Sequence, residues 1–108
     1  MTGINIVLTT CPSTEVAESI ARKLVDEKLA ACVNIISSVQ SIYKWKGEVC
    51  AESECLLLIK TSVDRTEELK RMICEIHPYE LPEVVVLNST DGLKEYFEWV
   101  NNSVKREV

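Results

Sequence analysis

The chain has 108 residues, 46% of them hydrophobic and 27% charged, and its twelve Lys plus Arg against seventeen Asp plus Glu leave a net charge of −5. That length reads as one domain over residues 1–108 with enough apolar content for its own core. The acidic balance speaks against nucleic acid and anionic membrane surfaces as partners, since both require a basic face. No apolar stretch reaches the ~18 residues of a membrane span. Three glycines, Gly3, Gly47 and Gly92, are too few for a glycine-rich phosphate cradle. Five cysteines without any Cys-x-x-Cys, and the single histidine His77, leave no zinc ribbon. With no basic-then-apolar leader ahead of the first strand, free thiols in a cytoplasmic, reducing setting are expected.

Ile4 to Thr10 reads as a strand ended by Cys11-Pro12-Ser13. Ser13 is the expected N-cap of a helix in which Val16, Ala17, Ile20, Ala21, Leu24 and Val25 recur at three- and four-residue steps to about Lys28. A β-rich stretch follows from Ala30 to Ile36, interrupted at Ser37-Ser38 and resumed through Val39, Ile42, Tyr43 and Trp45. Lys46-Gly47 is the expected hairpin tip, with a return strand over Glu48 to Thr61. Its centre, Cys55-Leu56-Leu57-Leu58-Ile59, is apolar on both faces, as suits a central strand. Ser62 or Asp64 should cap a second helix with Leu69, Met72, Ile73 and Ile76 as its stripe, closed by His77-Pro78. A fourth strand is expected over Glu83 to Asn88. Thr90 or Asp91 should then cap a last helix with Leu93, Tyr96, Phe97, Val100 and Val104 on one face.

The order β-α-β-β-α-β plus one helix predicts an α+β, ferredoxin-like fold, an antiparallel sheet with helices on one face. The central hairpin is too long for that fold alone, because its arms greatly exceed a usual strand of ~5–6 residues. A hairpin projecting past its own sheet must hide Tyr43, Trp45 and its backbone edges, which points to oligomerisation by strand addition.

Chemistry concentrates in Ile76-His77-Pro78-Tyr79-Glu80-Leu81-Pro82-Glu83, which packs an imidazole, a phenol and two carboxylates between a helix and a strand. Two readings compete: a rigid connection with His77 favourably set at a helix C-terminus, or a metal or ligand site. Lys60 shares strand parity with Glu54, Leu56 and Leu58. It either emerges at the sheet end or lines a cleft and pairs with an anion. Trp45 and Tyr43 read as interface anchors or as ligand-stacking groups. Cys32 and Cys55 read as core. Cys74 reads as exposed, and Cys11, ahead of a helix N-terminus, as a thiol whose pKa can fall and which can meet a metal.

Several motifs stand in one order: Thr9-Thr10-Cys11-Pro12, Lys28-Leu29-Ala30-Ala31-Cys32-Val33-Asn34-Ile35, Ser41-Ile42-Tyr43-Lys44-Trp45-Lys46-Gly47-Glu48, Glu54 with Lys60-Thr61, and His77 through Glu83. Together they resemble the CutA divalent-cation tolerance proteins over nearly the whole chain. The resemblance implies a tight homotrimer with inter-subunit sheet pairing, an association with copper and other divalent cations, and no enzymatic activity. It also implies a likeness to PII signalling trimers, hence an alternative regulatory role with a small ligand in an inter-subunit cleft near Lys60, Trp45 and Tyr79. Some similar proteins carry a thiol in the first strand where this chain has Thr9. The nearest thiol here is Cys11, so copper(II) is expected at His77 with Glu83, completed by water, Cys11 or a neighbouring subunit. The rival from another class is an acylphosphatase-like enzyme. Its glycine-and-arginine anion loop has no counterpart in Thr9-Thr10-Cys11-Pro12-Ser13.

Overall fold

A computed structural model describes residues 3–106. The elements run β1 (Ile4–Cys11), α1 (Thr14–Asp26), β2 (Cys32–Trp45), β3 (Glu48–Ser62), α2 (Thr66–Ile76), β4 (Val85–Ser89) and α3 (Lys94–Ser103), with a single 3-10 turn at Val63–Arg65. The four strands form one sheet in the order β2-β3-β1-β4, and each neighbouring pair is antiparallel. This is the split β-α-β arrangement that the element order predicts. Among the described residues no helix is long and apolar enough to cross a membrane.

Local chemistry accounts for most boundaries. Ser13 caps α1, its Oγ accepting from the Val16 N–H at 3.2 Å. The helix stops short of Lys28, which enters the left-handed region at φ 56. The Lys28 carbonyl is then taken by the Arg65 guanidinium at 3.2 and 3.3 Å. Lys46 and Gly47 carry φ values of 50 and 83, the two positive values of a type I′ turn. His77 breaks α2 by adopting ψ 137 ahead of Pro78. Neither Ser62 nor Asp64 caps α2 directly, because the 3-10 turn intervenes and Ser62 donates to Asp64 instead. Thr90 and Asp91 do not cap α3, whose N-cap is Leu93 with no side-chain bond.

Strand parity divides the sheet into two faces. Val7, Cys11, Cys55, Leu57 and Ile59 face α1 and α2. There they pack with Ala17, Ile20, Leu24, Leu69 and Ile73 into the main core. A polar link, buried at Asn5 and Thr66, ties the layers: Asn5 Nδ2 donates to Thr66 Oγ1, and Asn88 Nδ2 to Asn5 Oδ1, each at 2.9 Å. The opposite face carries Ile6, Leu8, Leu56, Leu58, Ile36, Val85 and Leu87 by register. Only its far end is covered, where Phe97 and Val100 of α3 pack on Ile4. The expected apolar face of α3 is therefore half right: Phe97, Val100 and Val104 are buried, while Leu93 and Tyr96 are exposed. Leu87 is 51% exposed and Ile36 47%, so within one chain this half of the sheet lacks a second layer.

The hairpin runs past the sheet and stretches the chain to 46 × 27 × 21 Å. Its interruption at Ser37-Ser38 is a β-bulge. Both serines oppose Cys55 between the Ile36–Leu56 and Val39–Glu54 rungs, with Ser38 at φ 62. The extra residue keeps the two arms paired while the twist increases. β2 is therefore one bent strand rather than two.

Candidate functional site

Beyond the bulge, register places Val39, Ser41, Tyr43 and Trp45 of β2 on one face with Glu48, Cys50, Glu52 and Glu54 of β3. The connection from α2 to β4 folds over the base of this arm. The result is a cleft of about 740 Å³ lined by Thr10, Ser41, Ile42, Tyr43, Trp45, Cys50, Glu52, Glu54, Pro78, Tyr79, Glu80, Leu81 and Glu83. Four carboxylates and three aromatic rings line it, a set suited to a cation with some apolar surface.

Two phenols hold two of the carboxylates. Tyr79 donates its hydroxyl to Glu54 Oε2 at 2.7 Å, and Tyr43 donates to Glu52 across the strand pair. Burial first, then the bond to Glu54, pushes the Tyr79 phenol well above its ordinary range. The bond to Glu52 first of all pushes Tyr43 up to about 12. Glu54 is 7% exposed, so its carboxylate depends on Tyr79 where water is scarce.

His77 anchors the connection from beneath. Its Nε2 lies 2.7 Å from the Thr10 carbonyl, which can only accept, so Nε2 carries the hydrogen. Its Nδ1 accepts the Tyr79 N–H at 3.1 Å, and the two rings lie 4.7 Å apart. Both ring nitrogens are thus engaged, and His77 is buried.

The metal set His77, Glu83 and Cys11 does not assemble within the chain. His77 offers no free lone pair in this conformation, and Glu83 is an exposed carboxylate on the cleft rim. β1 does extend to Cys11, but that carries the thiol into the core rather than to the site. Burial, with Cys55 and Glu54 near, pushes its thiol up to about 11, opposite to the fall that its place before a helix suggests. Among the described residues no three His, Cys, Asp or Glu side chains converge on a metal position.

The ligand-cleft set divides as well. Trp45 and Tyr79 line the cleft, whereas Lys60 lies at the other end of β3 and donates to Asn34. Trp45 pairs with Glu48, and Lys60 stands twelve residues further along β3, so the two are ~40 Å apart along the strand at ~3.3 Å per residue. Glu52 escaped the sequence reading. Its signal was parity with Glu54, which gains meaning only once the hairpin register sets both on the same face as Tyr43. Of the cysteines, Cys55 is buried and Cys74 exposed as expected, while Cys32 is half-buried rather than core.

The family profile described as "CutA1 divalent ion tolerance protein" matches residues 5–103. The chain belongs to the CutA1 divalent ion tolerance family. It is 47% identical over 98 residues to a divalent-cation tolerance protein CutA of Thermus thermophilus, covering 91% of this chain and 95% of that one. It is 41% identical to the human protein CutA over 91% of this chain, and spans only 55% of that longer relative. Solved CutA structures superpose closely. The rice protein gives a TM-score of 0.94 at 36% identity, covering 98% of this chain and 97% of that one. A protein described as PII-like CutA from Nostoc gives 0.86 at 49% identity, covering 94% and 97%. None of these relatives is named for an enzymatic activity. The Ser41–Glu48 and His77–Glu83 segments both contribute side chains to the acidic cleft.

Proposed function

We propose that the chain is a non-enzymatic homotrimer that takes up divalent cations, copper(II) foremost, at the acidic cleft under its hairpin. The observation that carries this reading is the acidic lining of one cleft by Glu52, Glu54, Glu80 and Glu83. Hard and borderline cations favour carboxylate oxygen, and copper(II) stands at the head of the divalent affinity order. Glu80 and Glu83 are the exposed pair and are the first carboxylates a cation meets. His77 joins as a ligand where Tyr79 releases Nδ1. The uncovered Ile6, Leu8, Leu56, Leu58 and Leu87 face supports the trimer, because an apolar patch of that extent is covered by a partner in a soluble protein. Five free cysteines support a reducing, cytoplasmic location.

Two measurements test the reading. Sedimentation equilibrium should give three chain masses, and Leu87→Asp on the open face should release monomers; a parent monomer at micromolar concentration overturns the trimer. Calorimetric titration with copper(II) should show affinity falling at least tenfold in the Glu80→Gln/Glu83→Gln double variant. Further loss is expected in His77→Ala. Unchanged affinity in all of these variants removes the cleft as the cation surface.

A regulatory reading is favoured by a separate observation, the ring-lined volume of the same cleft next to the likeness to a PII-like protein. With Lys60 absent from the cleft and four carboxylates present, its small ligand would be cationic rather than anionic. A thermal-shift screen of organic cations against organic anions separates the two, since only a ligand of the folded state raises the melting temperature.

A further inference from the structure

The β1–β3 ladder ends on a pair of thiols. Cys11 and Cys55 are direct cross-strand partners. Both are free, and both are buried on the helix-facing side of the sheet, away from the cleft. Opposite Cys55 on its other flank stands the Ser37-Ser38 bulge, where the β2 ladder is locally loosened.

Backbone geometry sets the spacing of the pair. The Ile4 and Thr10 carbonyls accept from Asn88 and His77, on the β4 side of β1. Residues of the other parity therefore turn their backbone groups toward β3, which makes Cys11–Cys55 a hydrogen-bonded pair. Cβ atoms of directly opposed residues stand ~4.5–5.5 Å apart, and hydrogen-bonded pairs take the wide end. A disulfide needs ~3.5–4.5 Å. The gap is too wide for a sulfur–sulfur bond without moving the strands. It suits one atom held between two sulfurs, each metal–thiolate bond being ~2.3 Å.

Two further side chains stand at this end of the sheet. Thr14 Oγ1, in the first turn of α1, lies 3.7 Å from Cys55 Sγ, so the positive end of that helix faces the sulfurs. Thr9 precedes Cys11 by two residues on the same face, and its fully buried hydroxyl has no hydrogen-bond partner. A buried oxygen without a partner is an anomaly that an approaching ligand relieves. Burial pushes the Cys11 thiol up to about 11, so without metal Cys11 is a neutral thiol that a core tolerates.

We propose that Cys11 and Cys55 form a two-coordinate site for a soft cation, copper(I) in the first instance. Thiolate sulfur selects copper(I) over the hard divalent ions that carboxylates take. Uptake is a proton exchange without electron transfer: one Cu⁺ and two Cys–SH give a Cys–S–Cu–S–Cys unit of charge −1 and two released protons. The α1 N-terminus stabilises that charge. The site shares no residue with the cleft and stands or falls apart from it.

The test is an anaerobic titration of the intact, reduced protein with copper(I) against a coloured copper(I) chelator, with X-ray absorption counting the sulfurs. One equivalent bound by two sulfurs is expected. Cys11→Ala and Cys55→Ala should each weaken it at least 100-fold, while Cys74→Ala, at an exposed helix position, binds as the parent does. Circular dichroism and melting curves establish that each variant is folded. Cys11→Ser and Cys55→Ser, closer in volume, serve where an alanine variant is not. A folded variant at either position that keeps the parent's affinity overturns the proposal. So does a sulfur count below two, or a Cys11–Cys55 disulfide as the only product. Loss of copper(II) uptake in Glu80→Gln/Glu83→Gln with copper(I) uptake intact confirms that the two sites are separate.

Discussion

Removing one oxygen atom, in Tyr79→Phe, tests how the connection over the cleft is held. The phenol donates to Glu54 Oε2 at 2.7 Å, while the ring rests against His77 at 4.7 Å and stays there in the variant. Glu54 is 7% exposed, so water cannot fully replace the lost donor. Hydrogen bonds to charged groups contribute ~1.5–3 kcal/mol, and stranding a buried acceptor costs a similar amount. Tyr79 is only half-buried, which admits some compensating water, so the expected loss is about 2 kcal/mol. For a domain of this size that lowers Tm by ~8–10 °C. Urea denaturation at fixed protein concentration measures it, because stability of an oligomer depends on concentration. Glu54→Gln completes a double-mutant cycle with an expected coupling of about 1–2 kcal/mol. Tyr43→Phe is the internal comparison: its bond to Glu52 lies on an exposed arm of the chain, so the variant should lose less stability than Tyr79→Phe. A Tyr79→Phe loss below about 0.5 kcal/mol, or a coupling near zero, refutes the clamp and with it the cleft's fixed wall.

Other outcomes follow from the same packing. Leu57→Ala removes a fully buried side chain between α1, α2 and the sheet, and urea unfolding should register a loss of ~3–4 kcal/mol. Gly47→Ala meets nothing within 4 Å, yet its φ of 83 is strained for a side chain, so ~1 kcal/mol of destabilisation is expected from conformation alone. Glu68 is held below its ordinary carboxylate value by the Arg106 hydrogen bond first and by Arg65 after it. A depressed native value gives stability that is present above the unfolded value of 4.5 and lost as pH falls. Arg106→Ala should therefore flatten the acid limb of a stability–pH profile, read as Tm between pH 6 and pH 3 in steps of about half a unit.

Much of the fold was legible because its causes are local. The three- and four-residue spacing through Val16, Ile20 and Leu24, the Ser13 cap, the Lys46-Gly47 turn and the His77-Pro78 stop are each set within a few residues. The α3 boundary was misjudged because Thr90 and Asp91 look like caps, while the helix is placed by Phe97 and Val100 seating on Ile4, a contact that local sequence does not encode. Cys11 misled for a related reason. Its position before a helix suggests an acidic thiol, but its parity with Val7 in β1 sends it into the core, where desolvation dominates.

The candidate site shows the same boundary between local and long-range causes. By itself the sequence determined the family motifs, the overlong hairpin and the crowding of His77, Tyr79, Glu80 and Glu83 into one short connection, since each is a matter of order and spacing along the chain. Only the tertiary structure decided that Tyr79 grips Glu54, that Lys60 lies far from Trp45, that both His77 nitrogens are engaged, and that Cys11 meets Cys55. Those outcomes depend on the β1–β3 and β2–β3 registers and on the bulge at Ser37-Ser38. A shift of one residue in either register would turn every side chain to the other face without altering any local pattern.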